Sequence, residues 1–129
     1  MYRPALISGS VFGLLAVILG AFGAHSLKAL LSPEQLFVFE KGVTYQFYHC
    51  FALLAAGIVF AYYPFPNIKW ATIFFVAGII CFSGSLYLYS VMDAKNIAVP
   101  TIGRLVTPLG GLCFIIGWAE LFLAIIKKK

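Results

Sequence analysis

Four long apolar runs constrain this chain more than any other feature: Pro4 to Leu27, Val43 to Tyr63, Trp70 to Met92 and Leu105 to Ile126. They hold 24, 21, 23 and 22 residues, and Glu120 is the only acidic side chain within them. A helix rising about 1.5 Å per residue needs roughly 20 residues to cross hydrocarbon, so each run can span a bilayer. The runs are continuously apolar rather than alternating. That favours helices over barrel strands, because a helix pairs its backbone groups within the segment. With 63% apolar residues, 10% charged ones and a mean hydropathy of +1.02, the chain cannot be arranged as a water-soluble globule. The predicted fold is therefore all-α: an integral membrane four-helix antiparallel bundle, with residues 1–129 as one domain and connections too short for a second.

The first run follows Arg3 and ends near small residues, Ala21 to Ala24, as a secretory signal would. Its 24 residues exceed a usual signal core, and it is read as a span. Cys50, Cys81 and Cys113 fall one each in the later runs and read as small apolar residues rather than disulfide partners. The net charge of +5 is no nucleic-acid signal, since the basic residues are scattered over loops and ends. With four crossings, Arg3, Lys69, Lys127, Lys128 and Lys129 share the side of the termini. Lys28, Lys41, Lys95 and Arg104 share the opposite side, called here the loop face. Five against four places the termini in the cytoplasm by the positive-inside rule, and the expected location is a bacterial cell membrane.

Small residues recur at heptad spacing. Gly9, Gly13, Ala16, Gly20 and Gly23 mark the first helix, Ala77, Cys81 and Gly84 the third, and Gly110, Cys113, Gly117 and Glu120 the fourth. His49, Ala52 and Ala56 continue the theme in the second. Such stripes let lipid-embedded helices approach closely. Ser32, Pro33, Glu34 and Gln35 form a helix start, with a serine cap, proline at the first position and glutamine three beyond the cap. That predicts a short interfacial helix before the chain enters the membrane near Gly42. The third loop, Asp93 to Val106, is unusually apolar and is expected to press on the bundle mouth. Thr107 and Pro108 are either the start of the fourth helix or, at Pro108, a kink in one begun earlier.

Several segments carry a family resemblance: Gly20-Ala21-Phe22-Gly23-Ala24-His25, Tyr45-Gln46 with His49 three residues on, and Phe82-Ser83-Gly84-Ser85-Leu86-Tyr87. Thr107-Pro108-Leu109-Gly110-Gly111 and Gly117-Trp118 complete the set. Together, and in this order, they resemble the domain-of-unknown-function 423 family, which includes the transmembrane protein 256 group. Ser26 departs from the glycine expected after the histidine. The resemblance implies a four-helix membrane protein and implies no activity, cofactor or catalytic residue.

Known catalytic constellations are absent from the sequence: there is no GxGxxG, P-loop, HExxH or CxxC. The two histidines and three cysteines lack a spacing that marks a metal site. Ser83 or Ser85 near His49 is the sole nucleophile candidate, and serines in membrane helices more often bond a neighbouring helix or their own preceding turn. The chain is thus expected not to be an enzyme and to need no cofactor.

The intramembrane polar residues carry the remaining expectations. His25, Gln46, His49, Ser83, Ser85, Tyr87 and Thr107 all fall toward helix ends on the loop face, with Arg104 placed to swing over them. They form either an interhelical hydrogen-bond network or a small polar pocket binding a ligand or a proton, and both require His25 and His49 in one cluster. Glu120 is expected to face the bundle and find a donor such as Ser8, Ser10 or Arg3, or to snorkel to the interface. Two functions follow. One is an accessory or structural protein packing against itself or a larger membrane complex, in contact with membrane lipids. The other is a protein that binds or moves a small ligand, lipid or proton at the loop face.

Overall fold

Prolines set where the helices begin, because a ring that lacks an N–H costs nothing in a first turn. A computed structural model describes residues 1–127. Helix α1 runs Arg3–Ala24 with Pro4 in its first turn, α2 runs Pro33–Val59 and α3 runs Pro66–Gly78. A π turn, Ile79–Ser83, joins α3 to α4, Gly84–Ala94, and the last helix, α5, runs Val106–Ile126. Single 3-10 turns, Leu27–Ala29 and Gly103–Leu105, lie in the first and third connections. α3, the π turn and α4 make one rod, so four rods long and apolar enough to cross a membrane result, and no strand occurs among the described residues. Lys128 and Lys129, counted above in the charge balance, lie outside the described residues.

The helix start at Ser32 forms as its residues require. The Ser32 hydroxyl accepts from Gln35 N at 3.2 Å, and the Gln35 side chain accepts from Ser32 N at 2.9 Å. The helix expected at the interface does not stop there. It continues unbroken into the second span, so α2 starts ten residues before the apolar run at Val43. No proline or glycine pair interrupts it, and Thr44 returns its hydroxyl to Glu40 O at 2.9 Å. At the other end of the chain Pro108 stands in the first turn of α5 and kinks nothing.

Packing is uneven around the bundle. α1 leans on α2 and only lightly on α3; α2 also touches α3, the π turn and α4. α5 lies against α3 and the π turn. Between α3 and α5 the core is Ile68, Ala71, Phe75, Phe114, Leu121 and Ala124, joined from α2 by Ala52, Leu53 and Ala56. Glycines permit the closest approaches. A Cβ at Gly110 would meet Phe82 N at 2.4 Å, and one at Gly117 would meet the Phe75 ring at 2.6 Å. In α1, Gly9, Ala16 and Gly23 are buried against α2, whereas a Cβ on Gly13 would meet nothing within 4 Å. The stripe expected in the third helix is displaced. Gly78 packs on Phe114, while Gly84 faces open space, because the π turn shifts the face presented after it.

Candidate functional site

Helix positions fix the depth of each polar group, and depth separates groups that looked adjacent in sequence. At the loop face, the start of α2 is tied to the end of α4. The cap residue Gln35 donates Nε2–H to Asp93 Oδ2 at 2.7 Å. The Tyr89 hydroxyl donates to Gly103 O, holding the third connection against α4. Beneath that connection lies an open hollow of about 360 Å³ lined by Glu34, Gln35, Tyr89, Ser90, Asp93 and Arg104 among others. Deeper in, Ser85 Oγ lies 2.9 Å from Phe82 O and 2.6 Å from Thr107 Oγ1. A carbonyl only accepts, so Ser85 gives its proton to Phe82 O and receives one from Thr107, joining α4 to α5.

Gln46 bridges three helices. Its amide donates to Phe12 O in α1 at 2.7 Å, and its carbonyl accepts from the Tyr87 hydroxyl in α4 at 2.7 Å. Tyr87 also packs on Phe39, with ring centroids 4.8 Å apart. One turn on, His49 is buried at 4% exposure and stacked on Phe114, interplanar angle 7°. Its Nδ1 lies 2.7 Å from Tyr45 O, which can only accept, so Nδ1 carries the proton. Nε2 then presents a lone pair, and it accepts the indole N–H of Trp118 at 3.2 Å. Both nitrogens of a neutral imidazole are thus occupied, linking α2 to α5 with no site left for a metal or for a serine proton.

The single cluster expected at the loop face is therefore not formed. His25 is exposed at the end of α1; its backbone N–H donates to Ala21 O, and among the described residues its imidazole has no hydrogen-bond partner. His49 lies about 24 Å along α2, past the helix's midpoint rather than in its first turns, because α2 begins at Pro33 rather than at residue 43. Arg104 is exposed and lines the loop-face hollow, away from Gln46 and His49. Ser83 is fully buried in the π turn with its hydroxyl unpartnered, and it makes no pair with His49. What remains is a set of separate bonded groups: Gln46 with Tyr87, His49 with Trp118, and Ser85 with Thr107.

Glu120 is half-buried, and its partner is none of the residues named for it. Asn67, at the start of α3, donates Nδ2–H to Glu120 Oε2 at 2.5 Å, and Lys127 Nζ donates to Asn67 Oδ1 at 2.6 Å. The reason is helix adjacency: α5 packs on α3, not on α1, which puts Ser8, Ser10 and Arg3 out of reach. Sequence reasoning passed over Asn67 and Trp118. The signal for both was polarity at a helix start and within a span, respectively. No group of three histidine, cysteine, aspartate or glutamate side chains converges among the described residues.

Between α2 and α5, whose backbones scarcely approach, aromatic side chains span the gap and leave a groove of about 860 Å³ open to the bilayer. Tyr45, Tyr48, Phe82, Phe114 and Trp118 line it, with His49 among them and Gly111 beside the Phe82 ring. No charged residue lines it.

Comparisons with known proteins point to a family of membrane proteins. The family described as "Protein of unknown function (DUF423)" matches residues 19–111. A UPF0382 membrane protein of Staphylococcus aureus is 42% identical over 122 residues, covering 95% of this chain and 94% of its own length. UPF0382 membrane proteins of Staphylococcus epidermidis and Staphylococcus saprophyticus are 38% and 39% identical, each over 122 residues, covering 95% of this chain and 94% and 96% of their own lengths. No solved structure matches.

Proposed function

The chain belongs to the DUF423 family of membrane proteins of unknown function, and from that premise we propose that it is a non-catalytic accessory or structural protein. It packs through the outer flank of α1 against a second copy or a larger membrane complex. The observation that carries this reading is the one-sided packing of α1. Gly9, Ala16 and Gly23 are used against α2, while a Cβ on Gly13 would meet nothing within 4 Å among the described residues and Ile7, Leu14, Val17 and Ile18 are exposed. A bare glycine flanked by aliphatic side chains fits the close approach of another lipid-embedded helix. The use of both His49 nitrogens, and the absence of a base beside Ser83, support a role without catalysis. We place the protein in a bacterial cell membrane with both termini cytoplasmic, a reading supported by the slight basic excess on that side.

Gly13→Leu tests the reading. Nothing in the chain lies within 4 Å of a Cβ there, so the fold is expected to melt as the parent does. Cross-linking in native membranes is expected to give a dimer or a defined complex with the parent and to lose it with the variant. Recovery of monomer alone from the parent, with no partner enriched, sinks the proposal.

A second reading is favoured by the loop-face hollow, where Arg104, Asp93 and Glu34 gather around about 360 Å³. There the protein binds a small zwitterionic or polar ligand. Co-purification of such a ligand, lost on Arg104→Ala, separates it from the first reading.

A further inference from the structure

We propose that the groove between α2 and α5 binds a neutral, membrane-dissolved lipid whose head is a flat ring bearing carbonyl or hydroxyl oxygens, the chemistry of an isoprenoid quinone. This goes beyond the packing role of α1 and does not depend on it. The depth of the groove comes first. Trp118 lies about 18 Å from the start of α5 and about 12 Å from its end, and it meets His49 near the middle of α2. An occupant at that level is dissolved in the hydrocarbon, not anchored at the surface.

Charge narrows the class further. The groove carries no cation to hold a phosphate and no anion to hold an amine. A phospholipid head is therefore excluded at a depth where an unpaired charge is most costly. The walls favour a ring. Tyr45 lies 4.8 Å from Phe82, Phe82 lies 5.6 Å from Phe114, and Trp118 stands edge-on to Phe75 at 5.3 Å. Rings of this kind stack a flat partner in offset or edge geometry, whereas an acyl chain gains only area. A volume of about 860 Å³ falls within the range of small-molecule sites.

Hydrogen bonding supplies the independent constraint. Tyr45 and Tyr48 both line the groove, and among the described residues neither hydroxyl has a partner. Acyl chains offer them none, and an unsatisfied hydroxyl in an apolar medium is penalised. An occupant with ring oxygens satisfies them. His49 is left as wall rather than partner, since its Nε2 already accepts from Trp118, a residue 49% exposed that itself lines the groove.

Trp118 is also the reporter. The chain has two tryptophans, and Trp70 lies tilted beside Phe74 outside the groove, so Trp70→Phe leaves Trp118 as the only indole. The full chain, in this background and in nanodiscs, is titrated with a decyl-substituted benzoquinone while Trp118 emission is followed. The expected result is saturable quenching. Tyr45→Phe with Tyr48→Phe keeps both rings, removes both hydroxyls and is expected to weaken the half-saturation by about tenfold. Gly111→Leu, which sets a branched side chain beside Phe82 in the lining of the groove, is expected to abolish saturation. Quenching that rises linearly in the parent overturns the proposal. So does saturation left unchanged by the loss of both hydroxyls, or a simple alkane of equal length that competes as well as the quinone. If Gly111→Leu does not fold, the tyrosine pair alone decides.

Discussion

Trp118 donates its indole N–H to Nε2 of His49 over 3.2 Å, and this bond joins α5 to α2 at a level where their backbones scarcely meet. His49→Phe keeps a flat ring on Phe114 and removes both side-chain bonds. It is expected to lower stability in detergent by about 1–2 kcal/mol while the protein stays folded. Trp118→Phe breaks one bond and is expected to cost roughly half as much. Thermal melts of the two variants check this, and unchanged melting of both removes the bond from the account.

Two glycines are expected to respond oppositely to the same change. Gly110→Ala drives a Cβ to 2.4 Å from Phe82 N, backbone that cannot rotate away, and is expected to cost about 3 kcal/mol or to prevent folding. Gly13→Ala meets nothing within 4 Å and is expected to stay within about 0.5 kcal/mol of the parent. Size-exclusion profiles and melting curves in one detergent separate them; equal losses contradict the helix placement.

Gln46 and Tyr87 should behave as a coupled pair. Gln46→Leu frees both Phe12 O and the Tyr87 hydroxyl, and is expected to cost about 1–3 kcal/mol. Tyr87→Phe should cost less, since Gln46 keeps its bond to α1. The double variant is expected to lose less than the sum of the two by about 0.6 kcal/mol, the scale of bonds between membrane helices. Strict additivity in the cycle contradicts the contact.

At the opposite face, Glu120→Gln retains an oxygen to accept from Asn67 but gives up the charge assistance of that bond. A loss of about 0.5–1 kcal/mol is expected, with a similar loss for Asn67→Ala. If Glu120→Gln melts as the parent does, the carboxylate contributes nothing there and its contact with Asn67 is incidental.

The spans were legible because their signal is local: solvation of each residue decides it, and no neighbour is needed. The Ser32–Gln35 cap was legible for the same reason, its two bonds closing within one turn. The separation of His25 from His49 was not. It required knowing that α2 starts at Pro33, which sinks His49 toward the bilayer centre and leaves His25 behind at a helix end. Nor was the Asn67 contact of Glu120 legible, since the order of helices around a bundle is set by packed shapes that hydropathy does not encode. The groove depends on a gap between two helices far apart in sequence, and only side chains on both sides of it define its walls.

The π turn at Ile79–Ser83 makes the third rod a phase shifter. Before it, Phe75 and Gly78 engage α5; after it, Tyr87 engages α2. Winding the same five residues as regular α-helix would turn all of α4 by up to about 100°, one residue's step. Tyr87 would then leave Gln46, and Ser85 would leave Thr107, with every other residue unchanged. Winding at this point thus carries information as binding as side-chain identity: a relative one residue shorter there keeps the same neighbours only by trading the π turn for regular helix.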